Sequence, residues 1–195
     1  MPASLSRTLL CAALASAAPA RGFAAQLDGA IPPMRVASGT LSFDGHATVG
    51  DFTGTTTTVS GEMSGGEGLA AVRGWVESPV KTLDTGNGKR DKDLNKSMES
   101  GKYPTVRFEL TGVTPRPKRA DTAAVDLQGK LTLHGLTRDV TLRGKVWREG
   151  NSLRMRTDFP VNLKEYEIGG LSKALGVLRM DEHIEVHVDL TFAER

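Results

Sequence analysis

The chain is almost without cysteine. Among its 195 residues only Cys11 occurs, and it falls in an N-terminal stretch that reads as a leader. The remainder can form no internal disulfide, supplies no thiolate nucleophile and offers no sulfur ligand to a metal. Aromatic residues are scarce at 5%. Net charge is small as well. The formal +2 disappears once Arg7 and Arg21 of the leader are set aside, so the pI of about 8.8 overstates any attraction to an acidic partner. A neutral balance does not suit a nucleic-acid binder. Beyond the leader, no apolar run is long enough to cross a bilayer as a helix. There is no G-x-S-x-G elbow, and Gly86-Asn87-Gly88-Lys89 lacks the full spacing of a phosphate loop.

What is present begins with that leader. Arg7 supplies a basic start, Thr8 to Ala18 is short and apolar, and small residues follow. This is the pattern of a secretory signal peptide spanning residues 1–24, with cleavage after Ala24. Thr8-Leu9-Leu10-Cys11 fits a lipoprotein signal poorly, because the residue before the cysteine is large. Residues 25–195 then read as a single domain. Export without disulfides points to a periplasm and requires a true hydrophobic core.

The mature part alternates with period two. Val106, Phe108 and Leu110 oppose Arg107 and Glu109; Val125, Leu127, Leu131 and Leu133 share a face, with Gly129 as a bend. Val140, Leu142 and Val146 alternate with charged neighbours, as do Leu153, Met155, Phe159 and Val161, and Ile184 to Phe192. Earlier strands are read at Val36–Phe43, Thr48–Gly61 and Leu69–Glu77. The threonine run Thr55–Thr58 suits a solvated strand. In the third strand parity is ambiguous, since either Val72 and Val76 or Trp75 can face inward. Patterns of this kind mark strands with one buried face. About eight such strands, joined by short polar turns, predict an all-β, antiparallel barrel, which leaves no open edges. A β-sandwich is the alternative.

Two insertions interrupt the strands. Ser78 to Phe108 holds a Gly-rich turn and a short helix, with Asp91 and Asp93 at its N-terminal end and Leu94 and Met98 spaced i, i+4 along one apolar edge. That edge either anchors the helix to the barrel rim or brings Met98 to a ligand. Asn162 to Val177 predicts a second short helix, with Leu171 and Leu175 on one face, that either covers the barrel mouth or plugs its end.

Candidate chemistry is thin. His183, Glu185 and His187 lie on the polar face of the last strand, with the two histidines about 13 Å apart at roughly 3.3 Å per residue, too far to share one metal without a bend. His46 and His134 sit in turns. Arg116, Lys118 and Arg119 form a small basic turn that could meet anionic headgroups.

In order along the chain, the motifs Leu41-Ser42-Phe43, His46 to Gly54, Lys81-Thr82-Leu83-Asp84-Thr85-Gly86, Lys89-Arg90-Asp91, Leu94, Lys102 to Phe108, Gly129 to Val140 and Ile184-Glu185-Val186 resemble those of the YceI-like family of exported proteins. The resemblance implies an eight-stranded antiparallel, lipocalin-like β-barrel with an elongated apolar interior. Its members are similar to carriers of polyisoprenoid chains, including isoprenoid quinone tails, and it implies no catalytic residue. Two stretches depart from it. The helix carries Asn95-Lys96-Ser97-Met98-Glu99 where many members have aromatics, and Tyr166–Leu178 differs in form. The expectation is therefore a periplasmic, non-enzymatic binder of one long apolar lipid, with no required cofactor beyond a bound isoprenoid quinone or polyprenyl lipid. Its apolar lining is expected from Val72, Trp75, Met98, Phe108, Leu131, Leu133, Leu142, Met155, Phe159, Leu171 and Leu175. Transient membrane contact and a homodimer are both compatible with it. The rival readings are an enzyme acting on a small apolar substrate in the same cavity and a fully packed barrel serving as an interaction module.

Overall fold

The computed structural model describes residues 29–48, 50–116, 123–169, 172–173 and 178–195, with backbone alone for 172–173 and 178–179. In chain order the described elements are β1 (Ala30–Ile31), β2 (Met34–Gly45), β3 (Phe52–Thr56), β4 (Ser60–Ser64), β5 (Gly66–Glu67), β6 (Arg73–Pro79), α1 (Gly88–Ser97), β7 (Thr105–Pro115), β8 (Ala123–Leu133), β9 (Leu136–Glu149), β10 (Ser152–Asn162), β11 (Ser172–Lys173), β12 (Leu178–Arg179) and β13 (His183–Glu194).

The main sheet runs β13-β10-β9-β8-β7-β6-β4-β2-β3, and β13 also pairs with β2, which closes it. Every pairing is antiparallel. β3 and β4 keep one register against β2, with Leu41 opposite Thr56 and Arg35 opposite Glu62. They are two halves of one interrupted strand, so the barrel has eight staves. Alternation places the core as the sequence suggests. On β8, Val125, Leu127, Leu131 and Leu133 are buried, while Lys130 pairs with Asp139 at 2.9 Å on the outer face. The β8–β9 connection is a two-residue turn in which His134 (φ 52°) and Gly135 (φ 76°) are both left-handed, the geometry that matches the twist of a hairpin.

Three details differ from the sequence reading. The third strand begins only at Arg73, because Leu69–Ala71 is a single 3-10 turn. Within the threonine run Thr57 and Thr58 are exposed, but Thr56 is buried and its hydroxyl lies 2.8 Å from that of Thr82. The second insertion opens with a 3-10 turn at Leu163–Tyr166, followed by the β11–β12 pair. Ser172–Lys173 and Leu178–Arg179 are thus paired strands where leucine spacing suggested a helix, and Leu171 and Leu175 lie outside the described residues.

The barrel wall is discontinuous in two places, both toward one end. β9 pairs with β10 only from Gly144 to Glu149, leaving Leu136–Arg143 without a ladder partner on that edge among the described residues. Between β3 and β6 the ladder stops at Ser60–Glu77, and Thr55 bridges to Asp84 instead. Each insertion fills one of these gaps. Arg138 of β9 donates through Nε to the Glu165 carbonyl at 2.9 Å, and the Val80–Asp84 segment leads into α1. The opposite end is filled by Met34, Met63, Leu69, Val72, Val113, Val125, Leu153 and Phe192, which leave only a small void, with the β1–β5 pair beside it. One end of the barrel is thus core, and the other is hollow.

Candidate functional site

The hollow end encloses a cavity of about 520 Å³, within the range typical of small-molecule sites. Its walls are the inward faces of the strands, and its floor is made by Val76, Phe108, Leu127 and Met155. The same four residues roof a second cavity of about 70 Å³ in the packed end. Phe108 can lean across the floor because β8 has glycine beside it. A Cβ on Gly129 would stand 2.5 Å from the Phe108 ring, so Gly129 makes room for this ring. A strand glycine of this kind marks close approach.

Seven of the expected lining residues reach the large cavity: Met98, Phe108, Leu131, Leu133, Leu142, Met155 and Phe159. Val72 does not. It is buried in the packed end, beside the smaller cavity. Trp75 faces outward. It is paired with Glu62 and Glu109, and the Arg107 guanidinium stacks on its ring at 4.5 Å. Its neighbour Val76 takes the inward position, opposite Phe108.

The expected lining omitted several residues the structure brings in. Ile184, Val186, Val188 and Leu190 of β13 line the wall, as do Leu41 and Phe43 of β2. Their alternation was visible, and the closure of β13 on β2 makes it a cavity wall. The opening is set by α1 on one side and by Leu163, Ile168 and Met180 on the other. Asn87 caps α1, its side chain accepting from the backbone N–H groups of Lys89 and Arg90 at 3.0 and 3.1 Å. Asp91 accepts from the Thr85 hydroxyl at 2.6 Å, which fixes the loop that delivers the helix. Met98 is buried and Leu94 partly so, so the apolar edge of α1 both anchors the helix and lines the cavity. Thr157 and Ser78 also border the interior, but each hydroxyl donates to a backbone carbonyl, of Arg143 and Thr58 respectively, at 2.9 Å.

The match to known proteins covers almost all of this architecture. Residues 34–192 fit the YceI-like domain. The chain belongs to the YceI-like family. A UPF0312 protein of Pseudomonas paraeruginosa is 38% identical over 74 residues, which are 37% of this chain and 36% of that protein. Protein YceI of Escherichia coli O157:H7 is 35% identical over 72 residues, 36% of this chain and 35% of its own length. The matched segments therefore span only about a third of these curated relatives. Among solved structures, Burkholderia cenocepacia BcnA superposes with a TM-score of 0.68 at 15% identity, covering 78% of this chain and 95% of that one. A polyisoprenoid-binding domain of Saccharophagus degradans gives 0.67 at 15% identity, covering 83% and 98%. The fold is the YceI-like barrel.

The YceI-like motifs at Lys102–Phe108 and His134–Gly135 meet at one junction beside the mouth. The Tyr103 ring lies over Gly135, where a Cβ would be 2.3 Å from Cε1, and it meets the His134 ring edge-on at 4.8 Å. His134 is buried. Its Nδ1 lies 2.9 Å from the Tyr166 carbonyl, and its Nε2 lies 3.6 Å from Glu99. This turn histidine therefore ties the β8–β9 hairpin to the exit of α1 and to the second insertion. Sequence spacing gave no sign of it, since its partners are distant along the chain.

The remaining histidines of this YceI-like barrel lie outside the cavity. His183 pairs with Asp181 at 3.3 Å and His46 with Asp51 at 2.9 Å. His187 of β13 is held between β10 and β2, with Nδ1 2.7 Å from Asp158 and Nε2 3.1 Å from Asp44. Only the imidazolium can donate to both carboxylates. The Asp158 hydrogen bond raises the His187 pKa; burial opposes it, and Asp44 adds to it. The Thr53 hydroxyl and then His187 lower the Asp44 pKa. The two shifts bound a window. Stability from the raised histidine is present below its ordinary value near 6.5 and is lost as pH rises through the folded value. That from Asp44 is present above about 3.8 and is lost as pH falls through its depressed value. The seam between β13 and β2 is accordingly firmest from about pH 4 to 6.5. Thermal unfolding should show Tm falling between pH 6 and 8, with His187→Asn removing part of that fall. The effect stays below about 1 kcal/mol because the group is partly solvated. An unchanged pH profile in the variant would show that the clamp contributes nothing.

Proposed function

We propose that the protein is an exported, non-enzymatic carrier that holds one long apolar lipid, an isoprenoid, in its hollow half. The observation that carries this reading is the 520 Å³ cavity, apolar from floor to wall, in a barrel whose other end leaves only about 70 Å³ open. The likeness to a polyisoprenoid-binding domain supports it. The leader-like residues 1–24 support export to a periplasm. Among the described residues the cavity lining presents no buried acid, base or nucleophile without a structural partner, which favours binding over catalysis. A cavity of this size also disfavours a fully packed interaction module.

The depth of the cavity gives a scale. On β8 the lining runs from Leu127 at the floor to Leu133 near the mouth. At about 3.3 Å per residue and a tilt near 40°, that is roughly 15 Å. An extended chain gains about 3.4 Å per three bonds, so an isoprene repeat of four bonds covers about 4.5 Å. About three repeats therefore reach from floor to mouth, and a longer chain must fold or emerge. At about 0.8 kcal/mol per buried carbon, three repeats contribute roughly 12 kcal/mol before association costs of about 4–15 kcal/mol are set against them. Affinity for a bare tail is thus modest.

Native mass spectrometry of protein purified from its own host should show a co-extracted lipid. In titrations with prenyl alcohols, affinity should rise steeply to about three repeats and then flatten. Trp75→Ala should leave uptake within about twofold, since that ring lies outside the cavity. An empty protein that also refuses prenyl alcohols and prenyl quinones would overturn the reading.

A further inference from the structure

The polar lining of the cavity is not scattered. Besides the tied Ser78 and Thr157, and Glu77, whose carboxylate accepts from Arg107 at 2.8 Å, it belongs to one segment: Asn87, Lys89, Arg90, Asp93 and Ser97 of the α1 cap and helix. Every other described lining residue is apolar. Among the described residues the mouth therefore has one polar side, with Leu163, Ile168 and Met180 among the apolar lining contributed by the second insertion.

Arg90 is the most constrained charge on that side. Its guanidinium lies 4.3 Å from the centroid of the Phe52 ring, and Nη1 donates to the Thr85 carbonyl at 3.4 Å. Phe52 is itself seated. Its ring occupies the space over Gly45, directly across from it on β2, where a Cβ would meet Cζ at 2.6 Å. It also meets the Phe43 ring edge-on, centroids 6.1 Å apart. Phe43 in turn covers Gly54, its own cross-strand partner. Two reciprocal aromatic–glycine pairs thus build a platform at the rim, and the platform holds the guanidinium. A guanidinium has five N–H donors in a fixed plane, and one bond to Thr85 leaves most of that capacity at the cavity edge. Lys89 adds a second cation one residue earlier, and Asp93 is the only carboxylate of α1 that reaches the lining.

Resting on the carrier reading, we propose that this edge, Arg90 foremost with Lys89 beside it, reads the ligand's polar head and fixes its direction. The tail goes down to Phe108 and Met155, and the head stays against α1. The head it fits is rich in hydrogen-bond acceptors, a quinone carbonyl or a prenyl diphosphate; an ammonium is disfavoured. Such a head supplies orientation and selectivity that a purely apolar cavity lacks.

The test holds the tail constant. Farnesol, farnesyl diphosphate, farnesylamine and a ubiquinone with three isoprene repeats are titrated into the full chain by fluorescence or calorimetry. The acceptor-bearing heads should bind about tenfold or more tightly than the ammonium, as charge-assisted hydrogen bonds imply. In Arg90→Ala/Lys89→Ala that ratio should collapse to about twofold or less. If the diphosphate is the intended head, its advantage shrinks with salt; if the quinone is, its advantage is nearly salt-independent. Equal affinity for all four heads in the wild-type protein, or a ratio that survives in the double variant, overturns this inference alone. A protein that takes up none of the four overturns the carrier reading and this inference with it.

Discussion

Leu131→Glu should yield a folded protein that emerges from its host without lipid. Leu131 is buried on β8 between Leu127 and Leu133, opposite Phe108 on β7, and its side chain lines the cavity. A carboxylate there either keeps its charge in an apolar enclosure, which costs several kcal/mol, or takes up a proton at a raised pKa. In both states it presents a polar group to a hydrocarbon chain that cannot satisfy it. A loss of about 3 kcal/mol corresponds to more than a hundredfold in affinity. Leu131→Met keeps the volume and the apolar surface and should bind within a few fold of wild type. The measurement is lipid per protein after solvent extraction, with circular dichroism and Tm recorded on the same samples. Because the hollow end already tolerates empty space, the empty protein can hydrate the new carboxylate, so the barrel should survive. Normal lipid content in a folded Leu131→Glu protein would move the binding site elsewhere.

Gly135→Ala should destabilise the protein far more than Gly150→Ala. Both glycines are left-handed, with φ of 76° and 61°. At Gly150 nothing lies within 4 Å of an added Cβ, whereas at Gly135 the Tyr103 ring stands 2.3 Å away. Either substitution therefore costs backbone strain of about 1 kcal/mol. Gly135→Ala adds a steric cost of about 1–3 kcal/mol. At about 2–4 °C per kcal/mol for a chain of this size, Tm should fall by roughly 5–15 °C for Gly135→Ala and by only a few degrees for Gly150→Ala. Adding Tyr103→Ala to Gly135→Ala removes the colliding ring, so the double variant should lose less than the two single changes predict. Equal Tm shifts for the two glycines would show that the Tyr103 junction is slack.

The residues that gave the clearest sequence signal are those where one side of a long strand is apolar and the other charged. Leu131 and Leu133 beside Lys130 and Thr132, or Val186 and Val188 beside Glu185 and Asp189, can stand in a wall in only one way. The seven-residue β6 lacks that contrast. Its adjacent residues Trp75 and Val76 are both apolar, and a 3-10 turn ending at Val72 precedes the strand, so parity could not be carried in from upstream. Trp75 is outward because Arg107 covers its ring, a fact of the neighbouring strand. His134 looked like a turn residue and is one; its burial depends on Tyr103 and Tyr166, each about thirty residues away. Arg90 looked like part of a solvated charge run. Its place at the rim depends on Phe52 sitting across Gly45, a pairing that local periodicity does not express.

The two interruptions in the wall have a mechanical consequence. A barrel laddered all the way round can change its girth only by breaking main-chain hydrogen bonds. Here β10, β13, β2 and β3 form one half-shell at the hollow end, and β6, β7, β8 and β9 form the other. Among the described residues, the ladders between the halves are confined to the packed end. The shells are joined there as by a hinge, and at the open end the described parts of the two insertions stand between them. Wall compliance is therefore concentrated where a guest sits. The thickness of chain that the hollow can accept is set by how far α1 and the Leu163–Ile168 segment yield, with the strands themselves left intact.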